Sequence, residues 1–139
     1  MKIRVAVTSS DGKTIDLHFG RCSDFLIAEI DGDSGEWRVL GHRKAEQTCH
    51  NFSHQEEHVR EVAKLLSDCP YLFTYRIGIY PYSVFRERGV RCFETPTEEP
   101  QPIDATFRSF RKYLETHPFS SGRGSGPAAG TEQTGRKGI

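Results

Sequence analysis

No stretch of this sequence approaches the roughly 18 consecutive apolar residues that a membrane-spanning helix requires. Nor is there an excess of one charge: lysine plus arginine and aspartate plus glutamate number 19 each. A chain without a net basic field has no global means of recruiting nucleic acid or an anionic membrane, so neither is expected as a partner. The four cysteines (Cys22, Cys49, Cys69 and Cys92) include no Cys-x-x-Cys pair, which removes zinc ribbons and thioredoxin-type redox chemistry. The G-x-x-x-x-G-K-[ST] loop, a G-x-G-x-x-G after the first strand and a G-x-S-x-G elbow are also missing. Nucleotide-phosphate chemistry and serine hydrolysis therefore have no motif to rest on. The N-terminus, Met-Lys-Ile-Arg-Val-Ala-Val-Thr, has only a broken apolar run and reads as a strand rather than an export signal. Reduced thiols and a cytoplasmic location are expected.

What is present is one domain's worth of alternating patterns. Of the 139 residues, 35% are hydrophobic and 27% charged, enough for a single core. Residues 2–8, 25–31 and about 36–44 read as three strands of a β-meander. Asp11-Gly12 supplies a hairpin-type turn signal, and Gly32 to Gly35 a second turn. Ser53-x-x-Glu56 fits a capping box, and Val59, Val62, Ala63 and Leu66 form the apolar stripe of a helix ending near Asp68, before Pro70. Then follow a strand over 71–76, a short helix about 81–88 stopped by Gly89, a strand over 90–94 and a helix about 103–116. The last carries Ile103, Phe107, Phe110 and Leu114 on one side. Strands alternating with helices require parallel crossovers. The fold class is α/β, with a mixed five-stranded sheet flanked by helices, and it resembles the ribonuclease H architecture. From Pro118 the composition turns to glycine, serine and isolated charges, so the domain is placed at 1–117 and a disordered tail at 118–139.

Three groups of residues invite chemistry. Asp16-Leu17-His18-Phe19-Gly20-Arg21-Cys22 places a carboxylate, an imidazole and a thiol within seven residues; imidazole and thiolate suit iron and iron-sulfur species. The plainer reading is a hydrogen-bonded loop with Phe19 in the core. His50, His54 and His58 concentrate three of the six histidines within nine residues, just after Cys49. His54 and His58 are i and i+4 on the helix, with Glu61 near the same face. That set can hold a divalent metal, or it is simply the solvated face opposite Val59 and Val62. Gln55 occupies the position where a zinc protease needs glutamate. Arg76, at a strand's carboxyl end, either offers charge to an anionic ligand or caps a helix end. A two-metal nuclease needs an acid on the first strand, and Ile3-Arg4-Val5-Ala6-Val7 has none.

Val5-Ala6-Val7-Thr8-Ser9-Ser10-Asp11-Gly12, then Asp16-x-His18-Phe19-Gly20, then Phe25-Leu26-Ile27-x-Glu29-Ile30 resemble the dinitrogenase iron-molybdenum cofactor-binding family, which includes NifX and the C-terminal domain of NifB. Leu66 to Cys69, Arg76-Ile77-Gly78 and Glu87 to Val90 extend the resemblance, in order, to about residue 116. It implies a ribonuclease H-like fold and a non-enzymatic role in nitrogen fixation: binding or carrying an iron-sulfur cluster or iron-molybdenum cofactor precursor between donor and acceptor proteins of cofactor assembly. His18 matches the family histidine. The chain departs from many relatives at Cys49 to His54, where they have a glycine-rich stretch. The expected cofactor-binding set is therefore His18, Cys22, Cys49, His50 and Arg76, with His54, His58 and Glu61 as metal ligands. Two alternatives stand beside it: an interaction module without a cofactor site, and a hydrolase using the His54, His58 and Glu61 face. The small size and one-sided sheet are compatible with a homodimer.

Overall fold

The computed structural model describes residues 1–45 and 55–120, with the side chain of residue 55 left aside. The strands are β1 (Lys2–Val7), β2 (Thr14–Ile15), β3 (Asp24–Asp31), β4 (Trp37–Lys44), β5 (Tyr71–Thr74), β6 (Arg91–Glu94) and β7 (Gln101–Pro102). The helices are α1 (Gln55–Leu65), α2 (Ile79–Glu87) and α3 (Ile103–Thr116), and a single 3-10 turn spans Phe19–Arg21. Five strands form one mixed sheet in the order β4-β3-β1-β5-β6. β1 pairs antiparallel with β3, and β3 with β4. β5 lies parallel to β1, and β6 parallel to β5. The expected α/β class and the meander followed by β-α units are what is found.

Each face of the sheet carries its own core. On one side α1 and α2 cover Ala6, Ile27, Leu72 and Cys92, with Phe19 and Phe85 meeting edge to face. Val59, Val62, Ala63 and Leu66 are all buried there, as the helical stripe requires. On the other side α3 lays Ile103, Phe107, Phe110 and Leu114 over Val5, Tyr71, Phe73 and Phe93. Phe119, which composition places in the tail, packs on Tyr71 at 6.0 Å, so this core reaches past residue 117.

Three local expectations are corrected. Asp11-Gly12 does not close a hairpin, because β1 pairs with β3. The Asp11 carboxylate instead accepts the amides of Lys13 and Thr14, and Gly12 takes φ 76, a conformation glycine adopts without steric cost. Those two amide bonds lower the Asp11 pKa to about 2. α2 starts at Ile79, two residues early, since a helix tolerates proline in its first turn and Pro81 sits there. β5 stops at Thr74, because Tyr75 and Arg76 pair with the segment around His18 instead. The pairing of β2 with β7 carries no clear signal in two-residue strands.

Candidate functional site

The three parallel strands β1, β5 and β6 are each closed at their carboxyl ends by a buried threonine: Thr8, Thr74 and Thr95. Pairing continues briefly there, with the Thr8 amide donating to the Phe73 carbonyl and the Thr95 amide to the Thr74 carbonyl. Beyond this row the chain between Asp16 and Phe19 lies across the end of the sheet. The Tyr75 amide donates to the Leu17 carbonyl at 3.2 Å and the Phe19 amide to the Arg76 carbonyl at 2.8 Å, which leaves His18 bridged to Arg76 in parallel register. The Thr8 hydroxyl donates to the same Leu17 carbonyl at 2.8 Å, and the Thr74 hydroxyl lies 3.0 Å from that of Thr8. The backbone on both sides of His18 is thus held by hydrogen bonds, while its side chain is exposed.

His18 and Arg76, far apart in sequence, are brought together as neighbours. Their side chains have different surroundings. Arg76 Nη1 donates to the carbonyls of Tyr75 and Thr95 and lies 2.9 Å from the Thr95 hydroxyl; Nη2 donates to the Thr97 carbonyl at 2.9 Å. A guanidinium so occupied ties the 95–97 segment to the end of β5 and is engaged by the protein itself. The Glu94 carboxylate accepts the Ile77 amide at 2.9 Å and fixes the chain into α2.

Cys22 is turned inward. It is 1% exposed, it packs in the core with Phe19 and Phe25, and its Sγ lies 3.5 Å from the Asp24 carbonyl. Burial, with the nearby Asp24 and Asp16 charges adding to it, pushes the thiol up to about 11. Without a metal the thiol at this position stays protonated. On α1, His58 is half-buried and Glu61 exposed. Cys49, His50 and His54 lie outside the described residues. Among the described residues, no group of three or more His, Cys, Asp or Glu side chains is arranged to hold a metal ion. A groove of about 530 Å³ beside the 3-10 turn has Arg21, Asp24 and His42 in its wall. Asp24 Oδ2 and His42 Nδ1 stand 3.7 Å apart there, two donors where a tight metal site uses three or four.

The sequence matches the family model described as "Dinitrogenase iron-molybdenum cofactor" over residues 1–112, most of the chain. The chain belongs to that family. Among the curated relatives are FeMo cofactor biosynthesis proteins NifB. The one from Azotobacter vinelandii is 27% identical over 117 residues, covering 82% of this chain and 23% of its own. That from Sinorhizobium fredii is 29% identical over 93 residues, covering 67% and 18%. The chain thus spans under a quarter of the length of these relatives. Among solved structures, the crystal structure of PH0822 is 19% identical with a TM-score of 0.54, covering 80% of this chain and 92% of that one, a likeness of fold.

Within this family domain, the phenylalanine of the His-Phe-Gly segment is its anchor: Phe19 is 1% exposed while His18 beside it is open. The residues missed by sequence reasoning are Thr8, Thr74, Tyr75 and Thr95. A signal for Thr8 and Thr74 was present, since β1 ends Val-Ala-Val and β5 runs Tyr-Leu-Phe before the threonine, whereas Glu94 stands before Thr95 in β6. Tyr75 had none, because an aromatic residue at the end of an apolar run reads as more strand. Among the described residues, no helix is long and apolar enough to cross a membrane.

Proposed function

We propose that this protein binds an iron-sulfur or iron-molybdenum cofactor precursor as cargo, and passes it between donor and acceptor proteins of FeMo-cofactor assembly without turning it over. The observation that carries this reading is the exposed imidazole of His18, whose backbone neighbours are hydrogen-bonded at the carboxyl ends of the parallel strands. Ligands of open α/β sheets gather at that end. The family match and the NifB relatives support the cargo class. The order β4-β3-β1-β5-β6 with β3 antiparallel fits a ribonuclease H-like fold, and we adopt that name for the architecture. Cytoplasmic residence, where iron-sulfur cargo is handled under reducing conditions, belongs to the same reading.

The donor set needs more than His18. Cys22 is buried beside the His18 segment, and its thiol would ionise only on meeting the cargo. Arg76 acts through position, since its guanidinium is spent on carbonyls. We assign the remaining ligands to Cys49, His50 and His54, together with His58 and Glu61 of α1. The topology favours this. β4 leaves the sheet at the His18 end, where Lys44 pairs with Asp24 and the Ala45 amide donates to the Ser23 carbonyl. α1 must start near the same end, because its far end leads through Cys69 and Pro70 into the start of β5.

The test is anaerobic reconstitution with iron and sulfide, read by metal content and visible absorption. Wild type is expected to take up stoichiometric iron with charge-transfer bands. His18→Ala and the triple variant His50→Ala/His54→Ala/His58→Ala are each expected to lose it. Full iron uptake by His18→Ala overturns the central role of that residue, and no uptake by wild type overturns the cargo reading.

A further inference from the structure

Among the described residues, the His18 ring meets that of Tyr75. Their ring centroids are 5.3 Å apart with the planes at 73°, an edge-to-face contact. Tyr75 is itself held from three directions. Its hydroxyl donates to the Glu98 carbonyl, its amide donates to the Leu17 carbonyl, and the Arg76 guanidinium lies over its ring, 4.5 Å from the centroid. The same guanidinium binds the Thr95 and Thr97 carbonyls, so the ring is trapped between the end of β5 and the segment after β6.

An exposed histidine on a fixed backbone still has two free side-chain torsions, and ordering them costs entropy when a ligand binds. A neighbouring ring that is already immobile restricts those torsions beforehand. We propose that Tyr75 is the positioning residue of the site: pinned by Arg76 and Glu98, it holds the His18 imidazole in one orientation for the incoming cargo. This rests on the reading that His18 meets the cargo, and it assigns to Arg76 an indirect role through Tyr75. The arrangement is the aromatic counterpart of the hydrogen-bonded partners that orient histidine ligands at metal centres.

Two variants separate the ring from its anchor. Tyr75→Phe keeps the ring beneath Arg76 and beside His18 and loses only the bond to Glu98; Tyr75→Ala removes the ring. Two measurements are made on the intact chain: the NMR shifts of the His18 ring protons without cargo, and iron retention after reconstitution with iron and sulfide. Backbone amide spectra establish that each variant is folded. In wild type the His18 protons should be displaced from free-imidazole positions by the Tyr75 ring current. Tyr75→Phe should preserve that displacement, while Tyr75→Ala abolishes it and weakens iron retention about tenfold, the lower end for loss of a ligand-orienting partner. Unchanged His18 shifts in folded Tyr75→Ala overturn the contact. Altered shifts with wild-type iron retention overturn the positioning role. If wild type retains no iron, the cargo reading fails and the positioning role with it, while the proton shifts still decide whether the clamp exists.

Discussion

The buried pair Thr8 and Thr74 allows a quantitative test of how the end of the sheet is held. Both are fully buried, with hydroxyl oxygens 3.0 Å apart, and both hydroxyls reach the Leu17 carbonyl, Thr8 at 2.8 Å and Thr74 at 3.3 Å. Valine matches threonine in shape, so Thr8→Val or Thr74→Val removes a hydrogen bond without opening a cavity. Each single change should cost about 1 kcal/mol, the net worth of one buried bond, because the remaining hydroxyl loses a partner in an environment without water. The Thr8–Thr74 bond is lost in either single variant, so the double variant does not lose it twice. Its cost should fall short of the sum by about 0.5 kcal/mol or more, a coupling typical of residues in one network. Thermal and urea unfolding give these values, with each kcal/mol worth about 4 °C for a domain of this size. In the double variant the Leu17 carbonyl keeps only the Tyr75 amide, so hydrogen exchange at the Tyr75 and Phe19 amides should quicken while exchange in α3 does not. Strictly additive costs, with unchanged exchange at those two amides, would refute the argument that the threonines hold the His18 segment.

Two further outcomes follow from the charges and thiols. Burial pushes Cys22 up to about 11 and Cys69 up to about 12, so site-resolved alkylation at pH 8 should leave both unmodified in the native protein and label both on unfolding; native labelling of Cys22 at the rate of a free peptide thiol would reinstate it as a ready ligand. The Asp68 carboxyl is held well below the ordinary carboxylate range, first by Arg43, which meets it through two bonds of 2.6 and 2.9 Å, and also by Arg4. A depressed native value stabilises fully above the unfolded carboxylate value of about 3.9 and is lost as pH falls below it. Because Asp68 is 43% exposed, solvent screening holds the effect to about 1 kcal/mol. Asp68→Asn should therefore lower the urea midpoint at pH 7 and flatten its decline between pH 5 and pH 3; an equally steep decline would remove Asp68 from the acid response.

Much of this protein is written in local patterns. The stripe of Val59, Val62, Ala63 and Leu66 and that of Ile103, Phe107, Phe110 and Leu114 each specify an amphipathic helix, because side chains repeat on one face every three to four residues. The alternating pattern at 2–7 and the largely apolar stretches within 24–31 and 71–74 specify strands, and the His-Phe-Gly segment with its flanking strands was legible as a family resemblance that the comparison with known families bears out. Tertiary structure decided what each functional side chain meets. Cys22 and His18 are four residues apart and look like a ligand pair, yet the 3-10 turn between them sends Phe19 and the thiol into the core and leaves the imidazole outside. Arg76 offers a positive charge on paper, but three carbonyls from two segments already occupy it. Tyr75 and His18, distant in sequence, became neighbours only when β1 and β5 paired in parallel to align Val7 with Phe73. The order of residues sets periodicity and local turns directly, because those depend on near neighbours. Burial of a thiol, occupation of a guanidinium and the meeting of two rings depend on which distant segments share a sheet end, and only the closed fold determines that.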